Sequence, residues 1–465
     1  MPRSLAILLS LLFIAWLWRK DHQQRRELSP AIWIPVIWLM VLGSRPLSFW
    51  FGFTSSGGSL EGNAFDRTFY LVQILISMVI LARRQFPFGD FSRNNTALFL
   101  FYAWLLLTLL WSGYPFVTFK RWFKEIGGIF VMLLILTEKN PMEALKAVYI
   151  RCAYVLIPLS VLFIKYVPEF GRAYTNQGGV MYCGVTEQKN SLGEIVLIFS
   201  LILIWDMVQS WDDPERKAKR KNFFYPSLVI LMGLYCLQIS DSKTAMICLV
   251  AGTVILVSHR LPLLRTSPTT IFWLCLLGGP TFLGLDKLFK ISNTLLAMIG
   301  RDSTFTGRTE IWRVVREHPV NPLLGSGYLA YWDKTGVVEI GDYEAELKTA
   351  HNGYLEIYLD GGFIALGLLL LVLLVLAVGI YRNLQQRHHF ARLQFAFFLV
   401  TVLYNFSEST FARRGPLWFS FVLIAVTVGS LLWNHLLGSE QAEDGGSQEA
   451  ARPEDGSAFG DLRNA

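Results

Sequence analysis

The sequence predicts an all-α integral membrane protein with about 12–13 transmembrane helices and one large external loop that carries short helices. Three observations predict it: 53% of the 465 residues are hydrophobic, only 17% are charged, and the mean hydropathy is +0.41. Soluble proteins carry roughly 25% charged residues, whereas a membrane-spanning helix needs about 20 apolar residues. Twelve such helices would use about 250 residues and leave roughly 200 for loops and tails. The composition excludes a cytosolic enzyme, a fibre and a disordered chain.

Thirteen apolar runs supply the candidate helices, and no soluble domain interrupts them. The first run resembles a signal peptide in hydrophobicity, but it lacks an Ala-x-Ala-like cleavage site and is followed by Arg19-Lys20, so we expect a retained helix. Several runs are shorter than 18 residues, so twelve spans are as acceptable as thirteen. The runs lie near 4–18, 30–42, 68–82, 97–111, 126–137, 147–164, 191–207, 224–239, 244–258, 269–286, 355–380, 393–407 and 416–434.

The distribution of Lys and Arg over the short loops predicts the orientation. One set of alternate loops holds 19 of them and the opposite set, with the amino terminus, holds 12. Because Lys and Arg gather in cytoplasmic loops, the first set is predicted to be cytoplasmic and the long segment 287–352 to be external. The same rule explains much of the net charge of +7 without a nucleic-acid partner.

The chain divides into three predicted regions. Residues 1–190 form amino-terminal membrane helices, 191–434 form a second membrane region that includes the loop 287–352, and 435–465 form an acidic, disordered cytoplasmic tail. The five cysteines show no CxxC and no metal-type spacing, so neither a disulfide framework nor a metal site is expected. His388-His389 lie in a basic loop without acidic partners, which does not favour metal binding.

The predicted external loops keep many cations on the side of the membrane where the topology rule disfavours them. Such a set indicates an anionic ligand on that side, although any one of these residues is explained as well by contact with lipid phosphates. The external cations are Lys120, Arg121, Lys124, Arg172, Lys189, Lys243, Arg301, Arg308, Arg313, Arg316, Arg413 and Arg414.

Two segments of the long loop carry residue types suited to anion binding and to proton transfer. The first is predicted to form a helix from about Thr309, with Arg308 at its entrance, where free backbone N–H groups and the positive end of the dipole would add to an anion site. In the second, His351, Tyr354 and Tyr358 share one face of the helix that enters the membrane. A histidine at that outer mouth could accept a proton from an incoming hydroxyl. A surface helix with solvated arginines and an interfacial hydrogen-bonding histidine are the plainer interpretations.

Two smaller constellations flank these segments. Ser240-Asp241-Ser242-Lys243-Thr244 forms a tight external turn between two apolar runs. The stretch Thr186-Glu187-Gln188-Lys189-Asn190 opens another membrane helix from the outside, and Glu194 one turn further on is placed to pair with Lys189. Ionisable residues within the membrane are functional candidates.

Three motifs in this order resemble the O-antigen ligase and polysaccharide polymerase family, with exopolysaccharide-polymerase-like members most similar. They are Gly307-Arg308-Thr309-Glu310-Ile-Trp312, then His318-Pro319…Asn321-Pro322-Leu-Leu-Gly325-Ser-Gly327, then His351-Asn352-x-x-Leu355 before a Gly-rich helix start. The resemblance is strongest over about 180–365, and the amino-terminal third matches only as a hydrophobic pattern.

The resemblance implies a multi-pass transferase of the bacterial inner membrane with its active site on the periplasmic side. It would move a glycan from an undecaprenyl-pyrophosphate-linked oligosaccharide to an acceptor hydroxyl, as an inverting glycosyltransferase without a metal ion or other cofactor. By this analogy Arg308 binds the pyrophosphate and His351 is the base or orients the acceptor. Lys243 stands where the family typically shows an arginine, which puts bidentate phosphate recognition there in doubt.

The assignment of further site residues follows the same resemblance and leaves alternatives open. Tyr354 and Glu356 compete with His351 for the role of base, and the cations Lys189, Lys243, Arg121 and Arg172 are candidates for binding pyrophosphate or substrate. The expected partners are the lipid-linked oligosaccharide, an acceptor glycan, the lipid bilayer and, as an open question, other polysaccharide export proteins; no nucleic acid is expected.

Four functions remain in competition at the level of sequence. A polymerase of exopolysaccharide or O-antigen repeat units is favoured, and an O-antigen ligase that transfers finished glycan to lipid A-core or protein is the alternative. A glycolipid transporter or flippase is the alternative from another class, but no obvious internal repeat of the kind found in transporters occurs. A non-catalytic scaffold for an export complex is the remaining interpretation.

Overall fold

A computed structural model of the chain consists mainly of helices. The structure describes residues 1–25, 27–53, 63–174, 179–212, 223–261, 264, 267–278, 308–335, 337–340, 343–346, 348–387 and 390–428. The predicted tail 435–465, His388-His389, Arg301 and residues 279–286 of the apolar run 269–286 lie outside these residues.

The amino-terminal half forms ten α-helices and one short hairpin. Pro30–Ile32 and Thr108–Leu110 are 3-10 turns that extend α2 at its start and α6 at its end. The elements are α1 Arg3–Gln24, α2 Trp33–Leu42, α3 Leu47–Trp50, α4 Ala64–Arg83, α5 Phe88–Asn94, α6 Thr96–Leu107, α7 Pro115–Leu136, α8 Pro141–Tyr166, α9 Pro168–Gly171, β1 Arg172–Tyr174, β2 Val180–Tyr182 and α10 Lys189–Asp212.

The carboxy-terminal half continues the helical bundle and adds the elements of the long loop. A helical segment also covers 270–278. The elements are α11 Phe224–Ser240, α12 Lys243–Val257, α13 Arg308–Glu317, α14 Tyr331–Thr335, β3 Val337–Ile340, β4 Tyr343–Glu346, α15 Gly353–Gln385, α16 Ala391–Tyr404 and α17 Pro416–Val428. Both hairpins, β1–β2 and β3–β4, are antiparallel.

The predicted class of an all-α integral membrane protein is confirmed. Among the described residues, five helices are long and apolar enough to cross a membrane, namely α4, α8, α10, α12 with its 3-10 end, and α15. Five shorter apolar helices of 10–17 residues accompany them. The predicted total of 12–13 spans is therefore carried partly by helices below the usual spanning length, and the exact number stays a prediction.

The helices differ in how much of their surface the bundle covers. Helix α8 is mostly buried by its neighbours, whereas α4 and the second half of α15 expose rows of large apolar side chains. On α4, Tyr70 and Ile74 face the core while Leu75 and Val79 are exposed. An apolar surface of this extent is costly in water and costs nothing against lipid tails, so α4 and α15 are outer helices that face the bilayer.

Hydrogen bonds and ion pairs gather the loops at two opposite ends of the bundle. At one end the 43–46 segment bonds to the loop before α10, through the Arg45 amide and the Val185 carbonyl at 3.1 Å. At the other end Arg84 bonds to Glu138, and Arg25 bonds to Glu143. We call these the His351 end and the Arg25 end. The loops named here divide between the two ends in the same way as their predicted sides of the membrane.

Helix α15 is broken at Gly361-Gly362, and a turn of the long loop fills the break. Gly361 and Gly362 have non-helical backbone angles, with φ +68° at Gly362. The turn 321–327 bonds to the freed backbone groups: the Phe363 amide donates to the Pro322 carbonyl at 2.8 Å, and the Gly327 amide donates to the Asp360 carbonyl at 3.0 Å. A Cβ at Gly362 would lie 2.1 Å from the Leu323 backbone, so this approach requires glycine.

Candidate active site

His351 lies at the end of the long loop, directly before α15, and its ring is held by an acid from another loop. Its Nδ1 lies 3.1 Å from Oε2 of Glu408, which follows α16. The second carboxylate oxygen of Glu408 accepts a hydrogen bond of 2.8 Å from the side-chain amide of Asn190 in the first turn of α10. Because a carboxylate accepts, Nδ1 carries the proton in the neutral ring, and Nε2 keeps its lone pair.

Local backbone geometry brings these two loops together. The Gly353 amide donates to the carbonyls of both Asn405 and Glu408, at 2.8 and 2.9 Å. A Cβ at Gly353 would lie 2.0 Å from Oδ1 of Asn405, so only glycine fits at this point. The Asn352 side chain caps α15 by accepting from the Leu355 amide, and His351 takes a left-handed φ of +49°. The ring of His351 is therefore placed by a helix cap on one side and a packed turn on the other.

A buried charge network lies behind His351. The carboxylate of Glu356 is fully buried and accepts from the Trp332 indole, the Thr349 hydroxyl, the Ala350 amide and the Arg413 guanidinium. Burial disfavours the charged form of Arg413, but the neighbouring carboxylates of Glu356 and Asp360 outweigh it and raise the pKa of the guanidinium. These bonds hold the segment 349–351 on α15.

Lys243 begins α12 in the turn next to Glu408. Its Nζ lies 2.9 Å from Oδ1 of Asp241, and its side chain is 30% exposed. The following residue, Thr244, shares a 2.7 Å hydrogen bond with the hydroxyl of Ser407. This bond joins the Lys243 turn to the loop that carries Glu408.

Position 308 is the first residue of α13, as the sequence predicts, and the predicted apolar stripe is confirmed, with Val314 buried. One helical turn further on, the Trp312 indole donates to the Ala350 carbonyl at 3.1 Å. Ile311 and Val315 pack with Leu355 and Tyr358 around a small core cluster of their own. The start of α13 is thus attached to the segment directly before His351.

Lys189 is the first residue of α10, beside the Asn190 that binds Glu408. Glu194 accepts a 2.9 Å hydrogen bond from the Leu417 amide at the start of α17. The predicted pairing of Glu194 with Lys189 is therefore corrected, because one oxygen of the carboxylate accepts instead from an amide at the start of α17.

The remaining predicted residues are engaged elsewhere. Arg121 forms an ion pair with Asp333 of α14, with Nη1 and Oδ2 2.5 Å apart. Arg172 donates to the Ile164 carbonyl and covers the ring of Tyr182. The Tyr354 hydroxyl donates to the Val402 carbonyl at 3.1 Å. The structure brings together His351, Lys243, Lys189 and the start of α13, whereas Arg121, Arg172 and Tyr354 bind protein groups.

Reasoning from the sequence missed Glu408 and Asn190. Glu408 is the one acid in the polar turn Phe406-Ser-Glu-Ser-Thr410 between two apolar helices, which is a usable signal. It names no partner, however, because His351 lies 57 positions away. Among the described residues, no group of three His, Cys, Asp or Glu side chains could hold a metal ion. The predicted independence from metal stays a prediction.

Comparisons with known proteins bear on the same region. Residues 228–372 match the family model described as O-antigen ligase, a range that contains Lys243, Arg308 and His351. The chain is also 24% identical over 303 residues to the exopolysaccharide production protein ExoQ of Rhizobium meliloti (strain 1021). That alignment covers 62% of this chain and 65% of ExoQ, so the chain spans just under two thirds of the relative's length. The comparisons confirm the resemblance that the three motifs predicted, to O-antigen ligase and polysaccharide polymerase proteins.

Proposed function

We propose that the protein transfers a glycan from an undecaprenyl-pyrophosphate-linked donor to an acceptor hydroxyl on the periplasmic face of the bacterial inner membrane. The observation that carries the proposal is the His351–Glu408–Asn190 chain of hydrogen bonds at the end of the bundle where α13 and the Lys243 turn also lie. A histidine whose Nδ1 is held by a carboxylate presents Nε2 as a proton acceptor, which is the arrangement of a general base.

The donor pyrophosphate would lie between the start of α13 and the Lys243 turn. Helix α13 presents the backbone N–H groups of its first turn at Arg308, and Lys243 and Lys189 begin two further helices at the same end. Three helix starts that each carry a cation oppose the charge that develops on a departing pyrophosphate. The lipid tail of the donor would lie against the exposed apolar surface of the outer helices.

In the chemical step, the acceptor oxygen attacks the anomeric carbon of the donor sugar. The bond from that carbon to the phosphate oxygen breaks, and the lipid pyrophosphate leaves with the electron pair. His351 takes the acceptor proton on Nε2 as the new glycosidic bond forms, and attack opposite the leaving group inverts the anomeric configuration. The charge of the protonated imidazole is stabilised by Glu408.

Glu356, Tyr354, Arg121 and Arg172 are assigned positioning roles in this proposal. Glu356 has both carboxylate oxygens engaged by protein donors, and the hydroxyl of Tyr354 is bonded to a backbone carbonyl, so neither is placed to compete with His351 as the base. Arg121 holds α14 through Asp333. Arg172 covers the end of α8.

Within this function, polymerisation of exopolysaccharide or O-antigen repeat units is preferred because ExoQ is named an exopolysaccharide production protein. A ligase that transfers finished glycan to lipid A-core or protein uses the same donor chemistry and is the second candidate, supported by the family model. A transporter is less well supported, because the charged groups described above gather at the two ends of the bundle. Other polysaccharide export proteins would be partners of either enzyme.

The test is to size both the surface glycan and the lipid-linked pool in a strain that carries His351→Ala. Single repeat units on the carrier with no long chains would establish a polymerase, and long chains trapped on the carrier would establish a ligase. A normal glycan in both places, with the variant present at the wild-type level, would contradict the proposal. Cysteine labelling of Ser407→Cys from the outside of intact cells checks the periplasmic placement, and labelling only from the cytoplasm would overturn it.

A further inference from the structure

A separate polar cavity lies at the His351 end, beside the first turns of α10. Its volume is about 190 Å³, and its walls come from α2 and the segment after it, α4, the start of α10 and the residues before α17. The lining includes Ser44, Tyr70, Ser191, Glu194 and Arg414. None of the residues assigned above to base catalysis or pyrophosphate binding lines this cavity.

Glu194 supplies this cavity with a buried polar group that is placed to bind a ligand. The residue is 9% exposed, and its Oε1 accepts from the Leu417 amide. The other carboxylate oxygen, Oε2, has no hydrogen-bond partner among the described residues, although Glu194 lines the cavity. A nine-tenths buried carboxylate with one oxygen bonded by protein and the other open to a polar cavity is placed to accept a hydrogen bond from a ligand.

The charges that line the cavity do not favour an anionic occupant. Two carboxylates, Glu194 and Glu187, line it with a single guanidinium, that of Arg414, which already covers the ring of Tyr70. A pyrophosphate would meet no excess of positive charge there. A neutral molecule that is rich in hydroxyl groups would donate to the carboxylates and accept from Arg414 and the serines.

The size and position of the cavity further limit which ligand it can hold. Pockets that enclose drug-sized ligands measure about 300–1,000 Å³, so a cavity of about 190 Å³ admits a unit no larger than a sugar ring. Glu194 lies close enough to Glu408 for their charges to interact, and Ser191 follows the Asn190 that binds Glu408. The cavity is thus close to the Glu408 that holds the proposed base.

We infer that this cavity binds one sugar residue of the acceptor glycan, with Glu194 as the carboxylate that accepts from its hydroxyl groups. The identification of this sugar as part of the acceptor rests on the proposed transfer reaction. The binding of a neutral sugar in the cavity does not depend on that reaction. Glu194 would then be a specificity residue, because a site built to accept from a hydroxyl group binds an analogue without that group much more weakly.

The experiment measures binding of oligosaccharides released by partial hydrolysis from the surface polysaccharide of the host cell. The wild-type protein in lipid nanodiscs and the Glu194→Gln variant are titrated by saturation-transfer NMR. Glutamine can still accept from the Leu417 amide, so the start of α17 stays capped, but the charged acceptor is lost. We expect saturable binding by the wild type and affinity at least about tenfold weaker in Glu194→Gln. Glu169→Gln, an exposed carboxylate at the same end that pairs with Arg3, is the matched control and should bind as the wild type does.

The outcomes separate this inference from the proposed function. No saturable binding by the wild type, equal binding by Glu194→Gln, or displacement of the sugar by inorganic pyrophosphate would each overturn the inference. His351→Ala should lose transfer in cells and keep oligosaccharide binding. Wild-type cells that transfer glycan while the purified protein binds no sugar would leave the proposed function standing and remove the subsite. Binding that persists in a protein shown to perform no transfer would remove the proposed function and leave the sugar site standing.

Discussion

The two ends of the bundle both hold charged side chains, but they use them differently. At the Arg25 end, Arg25 contacts Asp21, Glu143 and Asp206, and Asp21 also accepts from Arg151 at 2.7 Å. At the His351 end, among the described residues, the ring of His351 has a partner at Nδ1 and none at Nε2, and one carboxylate oxygen of Glu194 has no partner. A charge whose neighbours satisfy it completely stabilises the fold, whereas one satisfied on a single side is available to a ligand. We therefore expect this difference to separate structural from functional ionic groups in this molecule.

The largest expected effect tests the functional side of the comparison. His351→Ala and Arg308→Ala should each lower glycan transfer by about 10²–10⁴-fold, the range for loss of a general base or a charge-stabilising group. Protein level and thermal unfolding in detergent should stay as in the wild type. Arg308→Lys should remain substantially impaired if the guanidinium binds two oxygens of the pyrophosphate. Wild-type transfer by both alanine variants would remove this site from consideration.

The converse is expected at the Arg25 end. Asp21→Ala leaves Arg25 and Arg151 without their shared carboxylate in a buried place, which typically costs 3–5 kcal/mol in stability. The melting temperature and the amount of folded protein should fall, while transfer per folded molecule stays constant. The check is the ratio of transfer to folded protein, measured by size-exclusion chromatography in detergent. A drop in that ratio greater than the drop caused by His351→Ala would invalidate the distinction between the two ends.

A smaller effect on the rate of transfer is expected from substitution of Glu408, and it tests whether Glu408 acts through His351. Glu408→Gln should lower the rate of transfer about 10–100-fold, because an amide no longer stabilises the protonated imidazole or fixes its tautomer. The backbone carbonyl of Glu408 still accepts from Gly353, so stability should change little. In proteoliposomes we expect the maximal rate to fall with the donor KM unchanged, and Glu408→Asp to recover part of the rate. An unchanged rate with an altered KM would assign Glu408 to binding.

The smallest effect concerns Lys243. Lys243→Arg restores the residue that the family typically shows, so we expect transfer within about tenfold of the wild type, and Lys243→Ala should be lower than both. Lys165→Ala is a suitable control, because Lys165 lies over the ring of Tyr235 outside the proposed site. Donor affinity in proteoliposomes measures the difference. Equal donor affinity in all four proteins would show that Lys243 does not contact the pyrophosphate.

Several features of the molecule follow from the sequence alone. Its apolar runs determined the class of protein, and Arg308 and His351 were proposed as site residues because both lie where a polar loop passes into a helix. Such features depend on residues within a few positions of one another, for which backbone geometry and hydrophobic periodicity are sufficient.

Other features were decided only by the tertiary structure. That Glu408 holds His351, that Glu356 is buried against Arg413, and that the Gly325 turn fills the break in α15 all depend on residues 33 to 57 positions apart. Helix packing sets these distances, and a local pattern contains no information about which loops will meet at one end of a bundle. The sequence therefore determined which residues carry charge and predicted which of them share one side of the membrane. The fold decided which of those charges neutralise one another and which remain open to a ligand, because that choice depends on partners brought together from distant parts of the chain.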